Sequence, residues 1–255
     1  MKIHMISLQG KRDYNEDRLD YIDYSNEIIF GLFDGHGGDF VSEYLKQNTL
    51  GEFRECLCKN DINHLVNSTQ KTLLKNYSDE SGDCGSTLLV IRLKKNKKQI
   101  EVINVGDSKG MLAYGSKTID LNPEHKPTDK YEKIRITLEG GEIEYDSSDE
   151  IYRVQGYAVS RSMGDTNYPI ISQRPYKSIL RIPSNSKYIV LASDGLWDVM
   201  NNTDVYNFIE EKTKKMKSIN KFENQKRVSN LAYSLGQHAI KKGSYDNVSI
   251  FVILL

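Results

Sequence analysis

Four aspartates of this chain stand beside glycine or asparagine where an apolar run begins or ends: Asp34-Gly35, Gly106-Asp107, Asp194-Gly195 and Asp246-Asn247. Aspartate is poor inside a strand and common in turns, so any one of them alone reads as a turn residue. As a set they read differently. Asp34 closes the run IIFGLF, Asp194 follows YIVLA after one serine, and Asp246 precedes VSIFVILL. Carboxylates held on rigid strand ends can converge, and converging carboxylates repel unless a cation joins them. Oxygen donors select a hard ion, Mg2+ or Mn2+. Zinc is not indicated, because Cys56 and Cys58 stand too close and no other cysteine or histidine pair has ligand-knuckle spacing.

The elements that must carry these groups follow from composition and periodicity. The chain has 255 residues, with 35 basic side chains balancing 35 acidic ones. That length holds one large domain or two small ones. No repeat or linker divides it, so one domain over residues 1–255 is expected. The neutral charge argues against a nucleic-acid partner. The longest apolar runs, 188–192 and 250–255, fall far short of the roughly 20 residues that span a bilayer. The opening MKIHMISLQGKRD lacks a signal-peptide core and has no glycine after Met1. Three cysteines are too few for a disulfide framework and fit a reducing compartment. A soluble cytoplasmic monomer is expected, with the nucleus also open.

Along the chain, Glu27–Phe33 reads as a strand ending in the Asp34-Gly35 turn. Phe40, Val41, Tyr44, Leu45, Leu50 and Phe53 recur at helical spacing from Asp39. A second helix is expected over 63–77, with Leu65, Val66, Leu73 and Leu74 as one face. Strands follow at 86–93, 100–105 and 110–114, with lysines 94–98 solvating a hairpin tip. Residues 129–138 read as a helix stopped by Gly140-Gly141. Strands are expected within 141–160 and 187–193, helices over 203–216 and 222–240, and a last strand from 248. The basic run 212–217 is read as a wet helix face. Hairpin-linked strands with helices between them predict antiparallel sheets covered by helices.

Seven strings now stand in order: Arg12-Asp-Tyr-Asn-Glu16-Asp17, Asp34-Gly-His-Gly-Gly38, Gly85-Ser-Thr87, Gly106-Asp-Ser108, Arg161-Ser-Met-Gly-Asp165, Ser193-Asp-Gly-Leu-Trp-Asp198 and Asp246-Asn247. Together they resemble the ordered motifs of metal-dependent PP2C-type serine/threonine protein phosphatases, over essentially the whole chain. The resemblance implies an α+β fold with a central antiparallel β-sandwich flanked on both sides by helices, in four αββα layers. It implies two Mn2+ or Mg2+ ions and phosphoserine or phosphothreonine proteins as substrates. Asp34 would bridge the ions, with the Gly35 carbonyl on one. Asp194 and Asp246 would complete the other, and Glu16 and Asp17 would serve the first directly or through water. Ions about 4 Å apart can hold a hydroxide that attacks phosphorus in line with no phosphoenzyme. Arg12 would clamp the phosphate with its planar fork. His36 would be the general acid for the leaving alkoxide, although a histidine in a glycine turn is more often structural. Asp107 and Asp198 match a weaker third ion of some members; otherwise Asp107 ends a strand and Asp198 caps a helix. The sequence departs from the family at Glu124-His125-Lys126-Pro127, at Lys109 and within Arg161–Asp165, at no metal carboxylate. The segment 165–175 is short beside the corresponding flap of many relatives, which leaves substrate selection open.

Two rival functions can be weighed. Gly106-Asp-Ser-Lys-Gly110 spells G-x-S-x-G, and His125 or His238 could serve Ser108 as base in a serine hydrolase. A nucleophile elbow needs a helix after the serine, whereas the residues after Ser108 read as a strand. No C-x5-R, D-x-D or P-loop string occurs. A phosphatase-like scaffold without turnover would be expected to lose Arg12 or a metal carboxylate, and Arg12, Asp34, Asp194 and Asp246 are all present.

Overall fold

The computed structural model describes residues 1–59, 61–96, 98–148, 150–218 and 230–255. They divide into two compact units. One comprises Met1–Asn15, Lys109–Leu121 and Pro183–Leu255, the other Glu16–Ser108 and Asn122–Ile182.

The first unit is built on a five-stranded antiparallel sheet. Its order is β1 (Lys2–Leu8), β15 (Val248–Leu254), β14 (Ser186–Ala192), β8 (Lys109–Tyr114) and β9 (Lys117–Asp120). Both apolar runs of the sequence lie at its centre, where β15 pairs with β1 on one side and β14 on the other. Helices α6 (Asp194–Trp197), α7 (Asn202–Ser218) and α8 (Leu231–Lys241) bury Leu196, Val205, Ile209 and Leu235 against Val190, Ile250 and Val252. Burying one such side chain stabilises a fold by about 1.5–3 kcal/mol. The expected helix 203–216 is α7. The helix expected over 222–240 has its first part outside the described residues, and α8 is the remainder. Of the basic run, Lys214 and Lys215 are exposed, as a wet face requires, and Lys212 lies over the Phe208 ring.

The second unit carries a five-stranded antiparallel sheet ordered β13 (Tyr176–Arg181), β7 (Gln99–Val105), β6 (Leu88–Lys94), β3 (Glu27–Phe33) and β2 (Arg18–Asp23). A small sheet joins β12 (Met163–Gly164), β5 (Gly85–Ser86) and β4 (Gly35–His36). The strand expected over 86–93 is thus split at Thr87 between two sheets. Helices α1 (Phe40–Asn48), α2 (Leu50–Lys59) and α3 (Ile62–Asn76) pack Val41, Leu45, Phe53, Leu65 and Leu73 against Ile29, Phe33 and Val90. The periodic run from Asp39 therefore forms two helices. The break falls at Thr49, which caps α1 by donating its N–H to the Leu45 carbonyl. In α3 the buried stripe is Ile62, Leu65, Val66, Thr69 and Leu73, so Leu74 turns outward and is 55% exposed.

The short α4 (Ser78–Ser81) follows α3, and α5 (Lys130–Leu138) fits the expected helix. Asp129 caps α5 by accepting from the Tyr131 and Glu132 N–H groups, and Gly140 lies beyond its end at φ +81°. Among the described residues of 141–160, the three-residue strands β10 (Glu144–Asp146) and β11 (Ile151–Arg153) pair, and Val154 forms an isolated bridge with Tyr157. Lysines 94 and 95 do more than solvate a tip, because Lys94 pairs with Glu101 and Lys95 with Asp23; Lys97 lies outside the described residues. No helix among the described residues is long and apolar enough to cross a membrane.

Candidate metal and phosphate site

In the second unit Asp34 leaves the buried strand β3 and is tied at once to residue 87. Its N–H donates to the Thr87 hydroxyl at 3.1 Å, and its carbonyl accepts from the Thr87 N–H at 2.8 Å. Thr87 Oγ1 also lies 2.8 Å from the Ser108 hydroxyl. Ser108 is fully buried in a turn that leads into β8. The elbow geometry of a serine hydrolase is absent there, and Ser108 braces the floor beneath Asp34.

Asp107 sits in that same turn, 2% exposed. Three buried polar side chains hold the turn from below. Asn104 donates to the Gly106 and Pro123 carbonyls, at 2.8 and 3.0 Å. Asn122 donates to the Ser108 carbonyl at 2.9 Å. His125 Nδ1 accepts from the Gly106 N–H at 3.1 Å. Gly106 itself has φ +108°, and a Cβ there would stand 2.6 Å from the Thr87 side chain. The clamp brings an Asp107 oxygen within 4.8 Å of an Asp34 oxygen. Two carboxylates this close, with only oxygen to offer, suit a hard divalent cation.

The neighbouring motifs pack around this pair. Glu16 and Asp17 are both buried, and Glu16 Oε1 accepts from the Gly38 N–H. The Glu16 carbonyl lies 2.5 Å from where a Cβ on residue 35 would be, so Gly35 admits no side chain. His36 lies on β4, opposite Gly85, and not in a loose turn. Its Nε2 is 2.7 Å from Asp165 Oδ2.

In the first unit Asp194 and Asp246 stand at one end of the adjacent strands β14 and β15. The Asp246-Asn247 turn is packed on both sides by glycine. A Cβ on Gly10 would lie 2.0 Å from the Asp246 carbonyl oxygen, and one on Gly195 2.0 Å from that of Asn247. Asn247 Nδ2 donates to the carbonyls of Gln9 and Tyr14, at 2.8 and 3.0 Å, which shapes the loop bearing Arg12. Arg12 then pairs with Asp246 at 2.7 Å. Asp198 ends α6 with its N–H on the Asp194 carbonyl at 2.9 Å. Trp197 donates to the Lys109 and Ala192 carbonyls, and the Lys109 ammonium lies 4.5 Å from its ring centroid.

Some of these supports were not assigned roles from the sequence. Asn104 and Asn122 carry no signal of their own beyond their distance from the Gly-Asp-Ser turn, and His125, weighed as a base for Ser108, instead supports that turn. Thr87 and Asp165 were visible only as members of ordered strings.

A model of the protein phosphatase 2C family matches residues 2–248. The chain belongs to that family. It is similar to protein phosphatase 1L of Bos taurus, 33% identical over 82% of this chain and 63% of the relative. It also resembles probable protein phosphatase 2C 2 of Arabidopsis thaliana, 32% identical over 97% of this chain and 65% of the relative. The chain thus spans a little under two thirds of these relatives' length. Among solved structures, a C. elegans sex determining protein matches with TM-score 0.83 and 24% identity, covering 100% of this chain and 64% of that one. A Toxoplasma gondii phosphatase matches with TM-score 0.82 and 18% identity, covering 98% and 94%. The expected fold class, α+β with antiparallel sheets and helices, is the one this family member shares with them.

Burial also gives this PP2C family member a pH signature. Desolvation first, then the nearby Arg161 charge, lower His125 from 6.5 to about 4. The folded state holds it neutral, while the unfolded chain protonates it below 6.5. Its stabilising contribution is therefore present above pH 6.5 and is lost progressively as pH falls towards 4, about 3 kcal/mol at most. Burial also lowers His4, in the same sense. Urea midpoints between pH 7 and 4 should fall more steeply for the wild type than for His125→Asn; parallel slopes would refute this assignment.

Proposed function

We propose that residues 1–255 act as one catalytic domain, a metal-dependent protein serine/threonine phosphatase. The observation that carries this reading is the clamped Asp34–Asp107 carboxylate pair, all-oxygen and braced by buried side chains. On the family's pattern of motifs, Asp194 would be a further donor to the cation site. Asp246, Glu16, Asp17, Asp198 and the Gly35 carbonyl would complete the shells of two Mn2+ or Mg2+ ions and a weaker third. Bound there, such ions would bring the pKa of water towards neutrality and offset phosphoryl charge. Arg12, oriented by Asp246, would bind phosphoryl oxygens with its planar guanidinium. His36 would supply a proton to the serine or threonine oxygen as its bond to phosphorus breaks. The substrates would be phosphoserine and phosphothreonine proteins.

The test is hydrolysis of phosphoserine and phosphothreonine peptides by the purified chain, with Mn2+ or Mg2+ added or chelated. Turnover should require the metal and vanish with excess chelator. Undiminished turnover in chelator, or a trapped phosphoenzyme, would overturn the reading. The scaffold alternative expects little or no metal-dependent turnover.

A further inference from the structure

We infer that Asp165 is the positioning residue for His36, fixing which ring nitrogen meets the substrate; this rests on the reading of His36 as proton donor. Asp165 follows the two-residue strand β12, and its side chain is fully buried. Its Oδ2 accepts from the His36 ring at 2.7 Å and also from the Ser162 hydroxyl. Its Oδ1 is buried and has no hydrogen-bond partner among the described residues. A buried carboxylate oxygen left so is costly, and its presence asks for a reason beyond packing. The backbone of Asp165 adds to the cost, because φ is +47°, a left-handed conformation that few side chains tolerate.

The surroundings are built to keep this contact. A Cβ on Gly85 would stand 2.2 Å from Asp165 Oδ2 and 2.5 Å from His36 Nε2, so only glycine lets the two meet. The Asp165 N–H donates to the Cys84 carbonyl at 3.0 Å. Gln70 of α3 holds Gly164 from both sides, donating to its carbonyl at 2.6 Å and accepting from its N–H at 2.9 Å. Tyr157 lies beside the imidazole, with ring centroids 5.1 Å apart, and its hydroxyl donates to the Asp83 carbonyl at 3.2 Å. The ring is therefore fixed by a carboxylate at Nε2 and bordered by an aromatic wall. Nδ1 is the nitrogen that remains for a substrate oxygen: the ring protonated on both nitrogens gives its Nδ1 proton to that oxygen and is left as the neutral Nε2–H tautomer, which the carboxylate acceptor at Nε2 selects. Orientation is what Asp165 sets.

Asp165→Asn keeps the shape, and asparagine tolerates the left-handed backbone. On a phosphoserine peptide with Mn2+, kcat should fall at least about tenfold with KM within about twofold. On p-nitrophenyl phosphate, whose phenolate leaves without much protonation, the loss should be no more than about threefold. In a His36→Gln background, Asp165→Asn should cost nothing further on the peptide. Gly85→Ala, which wedges the two side chains apart, should show the same dependence on leaving group. Equal losses on both substrates, or losses that add to those of His36→Gln, would mean that Asp165 only ties two segments together and would overturn the inference. A second readout does not need turnover. The imidazole 15N shifts of His36 in metal-free protein should report the Nε2–H tautomer in the wild type and a mixture in Asp165→Asn. If the wild type hydrolyses neither substrate, the phosphatase reading fails, and the 15N shifts still decide the positioning role; an unchanged tautomer overturns it.

Discussion

Asp34→Asn is expected to reduce metal-dependent turnover of a phosphopeptide by at least about a hundredfold. Altering a residue that only supports a metal ligand already costs about ten- to a hundredfold in affinity or activity, so removing a ligand's charge should cost no less. Asp34 lies within 4.8 Å of Asp107, oxygen to oxygen, and the proposed reading makes it the shared donor of the site. Asparagine keeps the size and leaves the N–H and carbonyl bonds to Thr87 in place, so the fold should be untouched. The variant should melt at or above the wild-type temperature without metal, since one of two facing carboxylates has lost its charge. Titration calorimetry with Mn2+ should show weakened binding in step with the activity loss. A variant that keeps wild-type turnover and Mn2+ affinity would remove Asp34 from the site.

Glu132→Ala should be the most damaging single change to stability. Glu132, on α5, is 1% exposed and is met by two arginines and a serine. Arg161 Nε reaches Oε1 at 3.0 Å, while Ser160 Oγ and Arg135 Nε reach Oε2 at 2.8 and 3.1 Å. Burial alone would push its carboxyl upward, yet the Arg161 and Ser160 hydrogen bonds and the Arg135 charge bring it from 4.5 down to about 2. That contribution is full above pH 4.5 and is lost as pH falls through 2. Removing the carboxylate leaves Arg161, mostly shielded from solvent, without its counter-charge, while Arg135 keeps Glu139 at 2.7 Å, a loss of about 3–5 kcal/mol. The thermal midpoint should fall by roughly 10 °C. Arg161 also donates to the Arg174 carbonyl, and Arg135 to those of Ser160 and Ile170. The segment that carries Asp165 hangs on this network, so peptide turnover should fall as well. Calorimetry of Glu132→Ala beside Glu132→Gln separates lost charge from lost volume. A shift under about 2 °C in both would show the network to be dispensable.

The sequence alone determined the features whose cause is local. Apolar runs marked β3, β14 and β15 because consecutive β-branched and aromatic residues need burial on both faces. Glycine beside aspartate marked the turns after β3 and β14, and a stop at Gly140 marked the end of α5, because left-handed backbone is nearly a glycine property. Donor chemistry indicated a hard cation, since only oxygen groups recur at strand ends. Seven short strings in order indicated the family. Local rules also gave Gly106-Asp-Ser as a turn between strands and so set aside Ser108.

Tertiary structure decided which of these groups touch. Arg12 meets Asp246 across 234 residues, and His36 meets Asp165 across 129. No periodicity encodes such pairs, because strand order and register choose them after the chain has closed its sheets. The Asn104, Asn122 and His125 clamp on the Asp107 turn has the same origin. The helix break at Thr49, with Leu74 turned outward, shows that limit at short range. Periodicity names a face that can be buried, but the surface it packs against decides how much of that face is covered and where the helix must bend to follow it.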